Sequence, residues 1–559
     1  MTTGNEYLAK AMAACGMDHF FHMPLFLPPA IRAMQKNGVK PIVTHSEGAA
    51  VYMADGYARA SGKLGVTGSQ QIGMANLAGA LLDPFMARTP ILALTGAGSN
   101  MTRYKNFYQE VDQFPLFSGL TKMSARVETS SRLPELLGQA IRVATTGSPG
   151  PVHLELVMQG APLDVELAEE PPPPDARYAY YPPIRYPAPA EDVKAALAAI
   201  AKAKRPLIVA DEGIRNSQAA AALRAFSQKL KLPVACSLDA KAAMMESDPL
   251  YVGVVGRYSR DVANIAMSEA DFVIFVGSTT GSMPTVEWTL PKPGVAAIQI
   301  DNDPRELGRN YPLQVGLLGD VRTVLEQLTA AATGSPPDRS NWLKWITDLR
   351  ADWLAVWKDK ETSDAEPIKP QRMCRDLSEA IPDDAIVVVD TGHTAVWAAR
   401  HMYFDKPTQS LLRCAGSLGW AFPASLGAKC GQPNRPVVSF VGDGAFLYHV
   451  GELETAQRYG IPTVTVINNN NSYSQERNTW KDDPDYLHHW DFKPVSFADV
   501  AKGFGTKAIV VEHARDLGKA IKEGIKANEH VIVEVIGDAM ELQTPVWPRG
   551  GPVPRPFSA

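Results

Sequence analysis

Short apolar runs that end in glycine, aspartate, serine or asparagine recur along this chain, and alanine-rich helical stretches separate them. Residues 436–441 form one such run, followed by Gly442-Asp443-Gly444 and a pattern that predicts a helix over 447–459. A second apolar run at 463–467 ends in four asparagines, Asn468 to Asn471. A strand–helix–strand unit of this kind builds a parallel sheet. The same rhythm marks the first part of the chain, where ILALTGAG at 91–98 and PVHLEL at 151–156 read as strands. The small and apolar residues from Gly48 onward predict a buried helix ending near Ser61-Gly62. In the middle, RPLIVADEG, LPVACSLDA, ADFVIFVGS and VAAIQIDND repeat the pattern. The expected fold class is α/β, with three doubly wound parallel-sheet domains.

Breaks in the pattern place the boundaries. Residues 1–165 are expected to form the first domain and open on an amphipathic helix. Residues 166–190 are dominated by proline, which stiffens the chain and removes amide donors, so they read as a surface linker. A middle domain is expected over 191–330. A connecting segment over 331–366 carries a tryptophan-rich helix, NWLKWITDLRADWLAVW. A third domain covers 367–545, and a proline-rich tail covers 546–559.

Composition narrows the class. Hydrophobic content of 45% and charge of 21% suit an ordinary globular protein. A net charge of −5 argues against nucleic acid as the main partner. No apolar run reaches membrane-spanning length, and the N-terminus lacks the basic and apolar regions of a secretory signal. Five scattered cysteines without a CxxC suggest reduced thiols and a cytoplasmic setting.

The chemistry concentrates at the two strand ends in the third domain. Asp443 offers a charge between two glycines that let backbone amides approach a diphosphate. The asparagine run offers neutral oxygens, and a hard cation such as Mg²⁺ takes one or two carboxylates with phosphate and neutral oxygens. Taken alone, Gly-Asp-Gly is more often a tight turn.

Asp443 and Asn470 stand 27 residues apart. That spacing, between a GDG and an asparagine pair, resembles the signature of thiamine-diphosphate (ThDP) enzymes. His45-Ser46-Glu47-Gly48-Ala49-Ala50, LTGAG, Tyr108-Gln109-Glu110, KAKRPLIVADEG, AIQIDNDPRELG and GSLGWAFPASLGAK resemble further stretches of the family that includes acetolactate synthase, benzoylformate decarboxylase, pyruvate decarboxylase and pyruvate oxidase. The overall pattern resembles acetolactate synthase large subunits. The resemblance implies that the first domain binds the cofactor's pyrimidine and the third its diphosphate. It implies Mg²⁺ on Asp443, Asn470 and the Ser472 carbonyl, with Asn469 or Asn471 as alternatives within the run. Further cofactor contacts are implied at Gly392, His393, Thr394, Gly416, Leu418, Gly442, Gly444, Ala445 and Tyr473. Glu47 would protonate or hydrogen-bond a pyrimidine nitrogen, Leu418 would hold the two rings in contact, and Gln109 would join Glu47 in catalysis. The substrate side is expected at His22, Leu25, Phe26, Gln71 and Glu476.

The implied activity makes or breaks a carbon–carbon bond next to a carbonyl, as a carboligase, a lyase or a 2-oxo acid decarboxylase. The implied assembly is a homodimer or homotetramer with active sites between subunits. Two other readings are an FAD-containing oxidoreductase of pyruvate-oxidase type and a non-catalytic ThDP-fold binding protein. Gly277-Ser278-Thr279-Thr280-Gly281 replaces the usual flavin-contact sequence and speaks against FAD. Bulky Leu25 and Phe26 stand where relatives have small residues, which predicts poor activity on pyruvate. Ser69-Gln70-Gln71-Ile72-Gly73 replaces the glycine-proline-glycine turn, and the paired histidines of pyruvate decarboxylase are absent.

Overall fold

The computed structural model describes residues 2–24, 27–158 and 161–541. Three six-stranded sheets, each entirely parallel, organise them. The first holds β1 (His19–His22), β2 (Lys40–Val43), β3 (Gly65–Ser69), β4 (Ile91–Ala97), β5 (Ser124–Val127) and β6 (Val152–Val157), in the order β2-β1-β3-β4-β6-β5. The second holds β7 (Pro206–Ala210), β8 (Val234–Cys236), β9 (Tyr251–Val254), β10 (Phe272–Val276), β11 (Ala296–Asp301) and β12 (Val315–Leu318), in the order β12-β11-β10-β7-β8-β9. The third holds β13 (Ile386–Val389), β14 (Ser410–Arg413), β15 (Val437–Gly442), β16 (Val464–Asn469), β17 (Lys507–Val511) and β18 (Val531–Ile536), in the order β14-β13-β15-β16-β18-β17. Strands covered by helices on both faces are buried along their whole length, which is why they read as unbroken apolar runs.

Counted within each domain, the first and third sheets share one strand order. In both, the chain leaves the first strand toward one edge and then crosses to the other side. Such a reversal opens a crevice beyond the carboxyl ends of the strands, where ligands sit in α/β sheets. The middle sheet has the order of dinucleotide-binding folds.

The first and third domains join through two helices, Glu47–Ser61 and Ala421–Gly431. A Cβ on Gly56 would collide with the Ala424 carbonyl, and one on Gly427 with the Met53 carbonyl, so these glycines let the two backbones touch. Inside this crossing, Arg59 forks onto Asp55 at 2.5 and 2.7 Å and reaches Asp83 at 3.0 Å. The tryptophan-rich helix spans Ser340–Glu361 and buries Trp342, Ile346, Leu349, Trp353 and Trp357 in the middle domain's core. The proline-rich stretch crosses the first domain with Ala179 and Tyr181 buried, and the Tyr181 hydroxyl donates to the Ala58 carbonyl. No helix among the described residues is long and apolar enough to cross a membrane. The 546–559 tail lies outside the described residues.

One predicted element differs. The helix expected over 447–459 is two pieces, Asp443–Leu447 and Glu452–Tyr459. The bend between them delivers His449 to Ser46 of the first domain at 3.2 Å. Glu452 accepts the His45 backbone N–H at 3.0 Å. These cross-domain bonds outweigh the propensity that would have continued the helix.

Candidate active site

Parallel pairing sets Gly442 opposite Asn468, so the GDG turn and the asparagine run leave the third sheet side by side. Between the ends of β13, β15 and β16 lies a cavity of about 250 Å³. Its lining includes Gly392, His393, Thr394, Leu418, Gly442, Asp443, Gly444, Ala445, Asn470, Ser472, Tyr473 and, at the exposed rim, Glu476. Twelve of the residues expected on sequence grounds therefore face one space at the point where the strand order reverses. Thr391, Asn468, Ser474 and Gln475 also line it and were not expected. Asn468 could have been found from the two-residue period of a strand, because it shares a face with Asn470.

That period also sorts the asparagines. The Asn469 side chain turns away, donating to Glu534 at 2.6 Å and to the Val495 carbonyl at 2.9 Å. Asn471 accepts the Val495 N–H at 3.4 Å. Asn468 and Asn470 are the pair that faces the cavity.

Asp443 is buried, and its carboxylate accepts the N–H groups of Gly444 at 2.7 Å and Asn470 at 3.0 Å. Burial pushes its pKa up to about 6, while those N–H groups pull the other way. Nearby polar atoms lack partners: Asn468 Oδ1, His393 Nε2 and Gln475 Oε1 are buried and unbonded. Burial lowers the His393 pKa to about 4, so the ring is neutral at pH 7. The Ser472 carbonyl accepts the Ser474 N–H at 2.8 Å and the Ser474 hydroxyl at 3.3 Å. A metal could use that carbonyl once the hydroxyl rotates away. Among the described residues no group of three or more His, Cys, Asp or Glu side chains is placed to hold a metal ion, so a cation here would rest on one carboxylate and neutral oxygens.

Every residue lining this cavity belongs to the third domain. Glu47, His22 and Gln71 lie instead at the carboxyl ends of β2, β1 and β3, at the matching reversal point of the first sheet. Glu47 is half-buried and opens the helix capped by Ser46. It accepts a hydrogen bond from Asn76 at 3.1 Å, a partner that sequence reasoning missed. A Cβ on Gly73 would collide with its Oε1, so the turn that replaces glycine-proline-glycine keeps its last glycine where Glu47 needs the space. Gln71 is buried within that turn. His22 is buried; its Nδ1–H donates to the Met23 carbonyl at 2.7 Å, and its Nε2 has no partner. Gln109 sits at positive φ in the loop after β4, with Oε1 buried and unbonded, and does not reach the cavity. Gly416 also stands outside the cavity lining, its N–H bound to Asp83 at 3.2 Å. Leu25 and Phe26 lie outside the described residues.

Comparison with known proteins matches the same three units. Residues 2–116 match the thiamine pyrophosphate enzyme N-terminal TPP binding domain, residues 193–328 its central domain and residues 390–535 its C-terminal TPP binding domain. The chain is 31% identical over 562 residues to the probable acetolactate synthase large subunit of Methanocaldococcus jannaschii, covering 98% of this chain and 94% of that protein. It is 28% identical to the acetolactate synthase isozyme 2 large subunit of Escherichia coli, covering 98% of each. It is 27% identical to the sulfoacetaldehyde acetyltransferase of Castellaniella defragrans, covering 94% of this chain and 91% of that one.

Proposed function

The chain belongs to the thiamine pyrophosphate enzyme family, of acetolactate synthase-like type, and from that premise we propose that it uses Mg²⁺ and ThDP to make or break a carbon–carbon bond next to a carbonyl. The observation that carries the reading is the buried Asp443 carboxyl lining one cavity with Asn470, Ser472 and Gln475, whose Oε1 is buried and unbonded. A buried carboxylate without a counter-cation, beside an oxygen without a donor, suits a divalent cation and its phosphate ligands. Asp443, Asn470 and the Ser472 carbonyl would hold the metal. Bound there, ThDP would supply the electron sink that cleavage or ligation beside a carbonyl requires.

The chain's own residues supply position and proton control. Asp443 and the N-terminus of helix His393–His401 anchor charge at one end of the cavity. Leu418 offers an apolar rest to the cofactor's rings. Glu47, whose carboxylate accepts a hydrogen bond from Asn76, would face a nitrogen of the cofactor's pyrimidine. Glu47 and the cavity lie on different domains, and a second copy of the chain bringing its Glu47 to this cavity would complete the site. Exposed Leu82, Phe85 and Met86, on the helix that carries Asn76, support such a homodimer, or a homotetramer built from it.

Two features of the middle domain speak against FAD. At its reversal point Gly213 donates to the Gly277 carbonyl at 2.8 Å, and a Cβ on Gly213 would lie 2.5 Å from Gly277 Cα, so the two backbones touch there. Arg88 from the first domain fills the space beyond, 3.1 Å from Glu306, 3.4 Å from Asp301 and 4.0 Å from Glu212. Those carboxylates would repel a phosphate.

A small 2-oxo acid or acyloin-type carbonyl compound is the substrate class we favour, and the names of the acetolactate synthase relatives support it. Five free cysteines, four of them buried, support a cytoplasmic setting. A screen of 2-oxo acids, acyloins and cyclic diones, reading CO₂ and new carbonyl products with and without ThDP and Mg²⁺, tests the reading. Cofactor-dependent turnover of one of them is expected. Stabilisation by ThDP without turnover of any would leave the non-catalytic alternative standing.

A further inference from the structure

Leu418 reaches the cavity from a loop, and the loop's conformation has an unusual origin. Residues 415–421 direct five backbone N–H groups onto two buried carboxylates from different domains. Asp83, in the first-domain helix Met74–Met86, accepts the N–H of Ala415 at 2.9 Å, Gly416 at 3.2 Å and Ser417 at 3.0 Å. Asp390, at the end of β13, accepts Gly419 at 3.0 Å and Ala421 at 2.8 Å, together with its neighbour Thr391 at 3.0 Å. Leu418 is the residue between the two sets. Gly419 takes φ +86, and a Cβ there would lie 2.6 Å from Tyr448 Cβ.

We propose that Asp83 and Asp390 are positioning residues that together set the height of Leu418 in the cavity, so that the first domain's packing fixes how the cofactor's rings are seated. The proposal rests on the cavity being the ThDP site. Asp83 is suited to the task because it is itself fixed. Arg59 Nη2 donates to it at 3.0 Å, and Arg59 is locked by Asp55 and stacked 4.7 Å over Trp420. Trp420 belongs to the same loop, and its indole N–H donates to Asp55 at 2.8 Å. The same helix holds Glu47 through Asn76. One helix thus holds both Glu47 and the loop that carries the ring support.

Asp83→Asn and Asp390→Asn each place an amide N–H against a backbone N–H and force the loop to move. Asp390→Asn leaves the Arg59 cluster intact, so it guards against Asp83→Asn failing through domain packing alone. Titration calorimetry would compare ThDP with inorganic pyrophosphate, both with Mg²⁺, because pyrophosphate needs only the Asp443 end of the cavity. Both variants should bind ThDP about tenfold or more weakly while binding pyrophosphate within about twofold of wild type. Leu418→Ala should show the same split. Wild-type ThDP affinity in both aspartate variants would overturn the proposal. Equal loss of both ligands, with a lowered melting temperature, would overturn it as well, since the carboxylates would then only hold the domains together. If wild type bound pyrophosphate but not ThDP, the reading of the cavity as the ThDP site would fall first.

Discussion

Binding of Mg²⁺ with ThDP should weaken steeply below pH 6, and Asp443 is the reason. In the metal-free protein, burial raises its pKa from 3.8 to about 6. A metal needs the carboxylate, so a proton competes with it. Roughly nine-tenths of the sites are ionised at pH 7 and about one-tenth at pH 5, which gives about a tenfold loss of affinity over that interval and close to another tenfold by pH 4. The sign for stability runs the other way. A raised carboxyl pKa contributes stability to the metal-free fold below pH 3.8, and that contribution is lost as the pH rises through 6. Metal binding therefore offsets a penalty that builds above pH 3.8 and is complete once the carboxyl is ionised above pH 6. Calorimetric titration of ThDP at saturating Mg²⁺, from pH 7.5 to 4.5, measures the slope. Repetition in buffers of different ionisation enthalpy measures protons released, which should approach about half a proton at pH 6 and vanish near pH 7.5. Asp443→Asn isolates the ligand's own titration and should bind weakly, with a shallower pH dependence than wild type. Identical slopes in wild type and variant would refute the argument.

Glu47→Gln should keep the fold and most of the ThDP affinity while lowering turnover by ~10²–10⁴-fold; thiazolium proton exchange at the wild-type rate would remove Glu47 from the mechanism. Gly73→Ala must displace the Glu47 carboxylate it would collide with, so its proton exchange should slow in the same direction, and an unchanged rate would mean that Glu47's position there is immaterial. Arg59→Leu strands Asp55 and Asp83 as buried carboxylates without their cation and should cost about 3–5 kcal/mol, read from urea unfolding; a loss below 1 kcal/mol would show that the cluster is relaxed or hydrated.

The parts of the fold legible in the sequence were those with one dominant signal. The apolar runs at 436–441 and 463–467 became β15 and β16 because strands buried on both faces need unbroken apolar residues. The helix over Glu47–Ser61 was legible because its small residues touch another backbone. His19-Phe20-Phe21-His22 was not read as a strand, since it is four residues long and bounded by histidines, yet it pairs on both sides. The shared strand order of the first and third sheets left no visible repeat, because topology is kept by burial pattern and not by residue identity. Within the site, the Asp443 and Asn470 spacing located the cavity, but the choice among four asparagines needed the strand's pleat. Asn76, Asp83 and Asp390 carried no local signal: their roles arise from contacts made across 29, more than 330 and about 30 residues of chain.

The central claim, that this chain holds ThDP through a metal on Asp443, reduces to one measurement: the melting temperature with ThDP and Mg²⁺ together, with each alone and with both plus EDTA, in wild type and Asp443→Ala. The account predicts a rise in wild type that needs both components, is abolished by EDTA and is absent in Asp443→Ala. A wild-type melting temperature that does not respond to the pair, or an equal rise in the variant, would contradict it.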